Sequence, residues 1–245
     1  MKDILQDIVA HTHSLGFIEL VKIVGDDKQT ELDAMAEDRA VVVKAQMHKP
    51  VSDIQGTFGM SNLGQLDIIL KIPEYKDAKI TVNTQERNGE TVPTGLHFEN
   101  TIGDFQNDYR FMSKEIVEEK LKSVQFRGVT WHVTINPTMP DIMRLNHQAS
   151  ANSQEQVFTV TTDGDELKFK FGDASSHAGE FTFAKGITGA LTKSWSWPIA
   201  QITSILKLQE KSSSCEMAFS DDGAAQITID SGMAKYQYIL PAQTK

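Results

Sequence analysis

SWSWPIAQITSILKLQEKSSSCEMAFSDDGAAQITIDSGMAKYQYILPAQ, residues 194–243, reads as one structural unit, a helix followed by three strands. Ile199, Ile202, Leu206 and Gln209 share one helical face, and Ala200, Ser204, Lys207 and Lys211 share the opposite one. The helix therefore hides aliphatics and shows two lysines. Pro198 suits its first turn, where a missing N–H costs nothing. Strand-like runs follow at Ser214–Ser220, Ala225–Ser231 and Lys235–Leu240, punctuated by Asp221-Asp222-Gly223 and Ser231-Gly232.

The same order recurs upstream. A helix is predicted over Asp3–Ser14, with Ile4, Leu5, Ile8, Val9 and Leu15 inward and Asp3 and Asp7 outward, before strands at Phe17–Val24, Thr30–Met35 and Val41–Met47. A run at Val51–Phe58 leads to a second helix, Ser61–Lys71, striped by Leu63, Leu66 and Leu70 and ended by Pro73. Strands are then predicted at Lys79–Gln85, Gly95–Asn100 and Asn107–Met112. Ser113–Ser123 is charged and poor in apolar residues, which reads as a connector, with a short amphipathic helix as the rival. Beyond a strand at Val129–Ile135, Thr138 and Asp141 stand at capping-box spacing before a third helix. Its stripe is Met139, Ile142, Met143 and Asn146, opposite Arg144 and Gln148. Strands at Gln156–Thr161, Glu166–Phe171 and Gly179–Ala184 follow, then Leu191–Trp197 leads into the fourth helix. Four helix-plus-three-strand units imply an α+β chain of two similar domains, 1–112 and 127–245, joined through 113–126.

Composition limits the chemistry. Of 245 residues, 40% are hydrophobic, enough for real cores, and the single cysteine excludes an internal disulfide or a cysteine-rich zinc site. No run of 18 apolar residues occurs and the first residues carry acids, so a soluble, intracellular protein is expected. With 24 Lys+Arg against 33 Asp+Glu the net charge is -9, which taken alone argues against a nucleic-acid partner. The placement of the few bases matters more than their sum.

Phosphate-loop and nucleophile-elbow motifs are absent. His11 and His13, two apart on a predicted helix, point to different sides and make a poor metal pair. His48, His97, His132, His147 and His177 are scattered. Asp163-Gly164-Asp165-Glu166 lacks the rest of a calcium loop and reads as a hairpin turn. Cys215 reads as a buried bystander. Nothing here points to catalysis or to a cofactor.

Trp197-Pro198-Ile199 opening a helix, the Met217–Phe219 strand and the ending Asp230-Ser231-Gly232-Met233-Ala234-Lys235-Tyr236-Gln237-Tyr238-Ile239-Leu240-Pro241-Ala242 together resemble the DNA polymerase sliding clamps. The likeness is strongest to the trimeric processivity factors of tailed bacteriophages. The resemblance implies a non-enzymatic homotrimeric ring that encircles duplex DNA without regard to sequence, is loaded by a clamp loader ATPase, and tethers a DNA polymerase in the cytoplasm of a host cell. A basic lining inside an acidic body fits that role, because phosphate contacts hold without reading sequence. The DNA-facing residues it implies are Lys71, Arg144, His147, Lys193, Lys207 and Lys211, with Lys2 and His13 the only contributors from the first helix. It implies a subunit seam between Asn107–Met112 and Gly179–Ala184, with Tyr109 and Phe111 against Phe181 and Phe183. It also implies a pocket for partner peptides at Val124, Phe126, Tyr238, Leu240, Pro241 and Ala242. Core packing explains Tyr238 and Leu240 nearly as well, and aromatic alternation is also what any half-buried strand shows. The competing readings are a β-rich virion structural or assembly protein, and an enzyme with a site built from scattered residues.

Overall fold

The computed structural model describes residues 1–87, 89–122, 128–173, 175 and 177–243. The chain divides into two compact units, Met1–Gln125 with Gly232–Tyr236, and Phe126–Ser231 with Gln237–Lys245. Val124 and Phe126 lie outside the described residues.

In the first unit, α1 (Lys2–Ala10) buries Leu5, Ile8 and Val9 and is followed by β1 (Leu20–Gly25), β2 (Thr30–Met35), β3 (Val42–Met47) and β4 (Gly56–Ser61). The helix stops four residues earlier than its predicted end, and a short 3-10 turn at His13–Leu15 takes over. The fourth strand also starts later than the apolar run at Val51. Gly56 adopts a left-handed φ of 86°, and a side chain at Gly25 would meet the Ile54 carbonyl oxygen at 2.1 Å. The chain crosses over Gly25 before it can pair. Helix α2 (Leu63–Leu70) packs on α1 and buries Leu63, Leu66, Ile69 and Leu70. The strands β5 (Lys79–Arg87), β6 (Glu90–Glu99) and β7 (Gln106–Arg110) form a second, three-stranded sheet in the order β5-β6-β7. The first sheet runs β4-β1-β2-β3, antiparallel, with β15 (Ala234–Pro241) beside β3. Residues Ala234–Tyr236 of that strand belong to this unit.

Lys114–Lys120 is a helix, α3, and it is docked. Val117 is fully buried against Gly59 of β4, where an added Cβ would lie 2.8 Å from a Val117 methyl. Val117 and Leu121, four apart, supply the apolar face that the charged composition concealed. The rival reading of this stretch, a short amphipathic helix, describes it better than an undocked connector.

In the second unit, β8 (Val133–Ile135) precedes α4 (Met139–Ala151), which starts on the capping box of Thr138 and Asp141. The helix buries Ile142 and Leu145, so its stripe is rotated from the predicted one and Met143 is 53% exposed. The strands β9 (Val157–Asp163), β10 (Glu166–Phe171), β11 (Gly179–Lys185) and β12 (Trp195–Pro198) form a sheet in the order β11-β10-β9-β12. Phe158, Phe169, Phe171 and Phe183 are buried on it. Helix α5 (Ile199–Leu206) buries Ile199, Ile202, Ile205 and Leu206, packs on α4 and continues as a 3-10 turn over Lys207–Lys211. The strands β13 (Ser214–Ser220) and β14 (Ala224–Asp230) continue with the rest of β15 in the order β15-β14-β13-β8. Cys215 is 5% exposed and burial pushes its thiol up to about 12, so it is an inert core residue.

The docking of α3 is open to a direct check. Val117→Ala is expected to lower unfolding stability by about 2 kcal/mol in urea titrations of the whole chain, and an unchanged midpoint would show that the helix is not held by this side chain.

Candidate nucleic-acid interface

The two helices of the second unit carry exposed basic side chains that make no ion pair with a described residue. Arg144 and His147 stand on the exposed side of α4, and Lys207 and Lys211 on the turn that ends α5; none makes an ion pair with a described residue. The reason they face out is the burial of Ile142 and Leu145 on α4 and of Ile202, Ile205 and Leu206 on α5, which leaves the remaining faces to solvent. Of the acids on these elements, Asp141 is committed to the capping box and only Glu210 is exposed. Arg144 leans toward β11, its guanidinium 5.4 Å from the centre of the Phe181 ring.

Lys193 lies in the loop before β12, and Asp221 builds that loop. The Asp221 carboxylate accepts hydrogen bonds from the Thr192 hydroxyl at 2.7 Å, the Thr192 N–H at 2.9 Å and the Lys193 N–H at 3.2 Å. The Thr192 hydroxyl leads the causes that hold its carboxyl below the usual range. On the other side the Asp221 N–H donates to His132 Nδ1 at 3.2 Å, and its carbonyl accepts from the Trp195 indole at 2.9 Å. A turn signal in the sequence is thus also an anchor, and its aspartate-before-glycine pattern gave no warning of that second role.

The first unit offers less. Lys71 pairs with Asp67 one turn earlier at 2.6 Å. Lys2 donates to the Tyr75 carbonyl at 2.6 Å, and His13 meets Glu19 at 2.8 Å. Asp7, predicted to face outward, instead accepts a hydrogen bond from the buried Tyr236 hydroxyl at 2.8 Å. On α1 and α2 the cationic side chains are therefore already engaged, whereas Lys114 and Lys120 of α3 are exposed and make no ion pair with a described residue.

The strands proposed for a seam are sheet edges: β7 ends the sheet β5-β6-β7 and β11 ends β11-β10-β9-β12. Their aromatic residues divide. Tyr109 is buried, with its hydroxyl on the Ser61 carbonyl, and Phe183 is buried against Phe169 with ring centres 4.3 Å apart. Phe111 stacks on Phe58 at 4.1 Å, and Phe181 is half-buried under Arg144. All four pack within their own unit, and only Phe111 and Phe181 keep partial exposure. At the chain end Tyr238 and Leu240 are fully buried, with the Trp197 indole donating to the Leu240 carbonyl at 3.2 Å, so these two belong to the core and not to a pocket. Pro241 is exposed and Ala242 half-buried. A small hollow of about 40 Å³ occurs instead in the first unit, lined by Ala34, Met35, Val42, Lys44, Leu121 and Lys122, with Asp33 at its edge.

Among the described residues no group of three or more His, Cys, Asp or Glu is placed to hold a metal ion, and no helix is long and apolar enough to cross a membrane. No known family and no curated protein matches the chain in sequence.

The Asp221 anchor has a pH signature. Because the folded-state carboxyl is held low, its contribution to stability is full above the ordinary aspartate range near pH 4 and is lost as pH falls through the lowered value. The melting-temperature gap between the native chain and Asp221→Ala is therefore expected to shrink on acidification; a constant gap from pH 6 to pH 2 would remove the carboxylate from this role.

Proposed function

We propose that this protein is a DNA sliding clamp: a homotrimeric ring that encloses duplex DNA and tethers a polymerase to it. The observation that carries the reading is the set of unpaired cations Arg144 on α4 and Lys207 and Lys211 at the end of α5, with the exposed imidazole of His147 one helical turn from Arg144, in a chain of net charge -9. Lysines on the strands are mostly spoken for: Lys22 by Asp33, Lys168 by Asp163, Lys170 by Glu180 and Lys185 by Glu166. Cations left free on paired helices can meet phosphates, while the acidic remainder repels DNA from other surfaces.

Each unit also contains two helices in contact, α1 with α2 and α4 with α5, and each is preceded or followed by antiparallel strands in the same order. The edges of β7 and β11 supply what head-to-tail assembly needs, an unpaired strand on each of two different sheets. The DNA-contacting set is centred on the second unit, because Lys71, Lys2 and His13 are engaged within the first. Tyr238 and Leu240 are too deeply buried to receive a partner peptide, and the hollow beside Leu121, at about 40 Å³, is far smaller than the roughly 300–1,000 Å³ of a ligand pocket. A clamp of this kind uses no cofactor and performs no chemistry. It takes its energy of loading from a separate ATPase.

Sedimentation equilibrium is expected to show a species at three times the 27.2 kDa subunit mass. In the same assay series, Lys207→Glu with Lys211→Glu is expected to leave that mass intact and to abolish retention on circular DNA, with the salt dependence of binding flattened by roughly one unit of slope per phosphate contact removed. Full retention by the double variant would defeat the assignment of these lysines. A monomer at every concentration would defeat the ring and favour a structural role.

A further inference from the structure

The hairpin between β6 and β7 holds an apolar tip in water. Asn100 Oδ1 accepts from the N–H groups of Gly103 at 2.9 Å, Asp104 at 3.2 Å and Phe105 at 3.3 Å, while the Asn100 N–H donates to the Phe105 carbonyl at 3.1 Å. Gly103 takes the left-handed φ of 78° that the turn needs. On this fixed frame Ile102 is 77% exposed and Phe105 38% exposed, the latter resting edge-on against Tyr75 at 5.4 Å. A rigid turn that presents an isoleucine has already lost the entropy that a docking loop would otherwise lose on binding.

In the second unit a groove of about 560 Å³ runs beside the C-terminal half of β11; Ala184 and Ile187 give it apolar surface, Ile135 and Phe183 are buried at its back, and Asn136, Asp141, Arg144, Thr182 and Lys185 make polar walls. The edge strands carry charges that fix how they can meet. Asp104 precedes β7 and Arg110 ends it; Glu180 lies near the start of β11 and Lys185 ends it. Antiparallel pairing brings Asp104 toward Lys185 and Arg110 toward Glu180. Parallel pairing would bring like charges together at both ends. The antiparallel choice also sets the 100–105 hairpin against the C-terminal end of β11, where the groove lies.

We propose that the 100–105 hairpin of one copy of this chain seats Ile102 against Ala184 and Ile187 in the β11 groove of a second copy. The contact rests on the reading of the chain as a ring-forming clamp and identifies what anchors each seam beyond its backbone pairing. Lys185 and Glu180 are now in exposed ion pairs with Glu166 and Lys170, which water and salt exchange readily, so both can turn to a neighbour.

The test mixes two single variants, Ile102→Cys and Ile187→Cys, with a short bismaleimide; buried Cys215 does not compete. A second mixture, Arg110→Cys with Glu180→Cys, reports on the strand edges alone. Cross-linked pairs of chains are expected in both mixtures and in neither variant by itself, and Ile102→Asp is expected to raise the concentration at half-association about tenfold or more while leaving the melting curve of the monomer unchanged. Cross-linking at 110 and 180 without cross-linking at 102 and 187 would overturn the hairpin seat and leave the ring standing. A trimer mass with neither cross-link would overturn the antiparallel seam and the seat with it. A chain that stays monomeric overturns the ring itself, and so removes the ground for the contact.

Discussion

The hydroxyl of Tyr236 donating to Asp7 is the bond on which the first unit closes. Tyr236 has no exposed surface, its ring stacks on His11 at 4.2 Å with planes 8° apart, and Asp7 and His11 sit on or just beyond α1, at the other end of the sequence. A buried phenol without a partner would lose the hydrogen bonds that water gave it, a penalty of about 1–3 kcal/mol, so the position of α1 and that of the strand start are fixed together. The consequence reaches the order of folding. Residues 232–236 complete a unit otherwise built from the first half of the chain, so its sheet gains the β15 segment only after nearly the whole sequence is available. Such long-range pairing costs loop entropy before any contact compensates it.

Charge is distributed by the same logic of partners. On the strands, alternation puts lysines and acids on one solvent face at cross-strand positions, and they find each other: Lys170 opposite Glu180 in the β10–β11 register is such a pair. On α2 the Asp67 and Lys71 spacing achieves the same along a helix. On α4 and α5 the acids at helical spacing do not pair with the cations: Asp141, three before Arg144, is held by the capping box, and Glu210, three after Lys207, makes no ion pair with it, so Arg144, Lys207 and Lys211 stay unneutralised. Exposed pairs of this sort contribute little to stability. Leaving them unmade therefore costs the fold almost nothing and leaves positive potential on that surface.

Much of the fold could be read from periodicity. The strands Thr30–Met35, Glu166–Phe171 and Ser214–Ser220 have the bounds that alternation and turn residues indicate, and the Thr138–Asp141 capping box starts α4 as its spacing requires. The errors share a cause. Period-two and period-3.6 patterns identify which residues are inward, but they do not say what the inward residues meet. Tyr109, Phe183, Tyr238 and Leu240 were candidates for surfaces, and each is spent inside its own unit. Asp7 lay on the polar side of a helical wheel, and only the arrival of Tyr236 gave it a buried partner. The α3 face rested on two residues, Val117 and Leu121, too few to outweigh the charges around them. Lys71 is the instructive case among the site residues: Asp67 four positions earlier was visible, but counting cations without their neighbours concealed it.

The two sheet edges could in principle pair with themselves. A β7–β7 or a β11–β11 dimer, antiparallel about a two-fold axis, would set Arg110 against Asp104 or Glu180 against Lys185, so charge alone permits closed dimers as well as head-to-tail contacts. Shape separates the cases. The protruding Ile102 belongs to the β7 edge and the groove at Ala184–Ile187 belongs to the β11 edge, on different units. In a two-fold pairing of β7 each apolar tip lies beside the Arg110 end of the other copy, with nothing concave to receive it, and in a two-fold pairing of β11 each groove lies beside the Glu180 end of the other copy, with nothing to fill it. Complementary features on two different surfaces favour a heterologous contact, and such a contact repeats until the rotation closes or a filament grows.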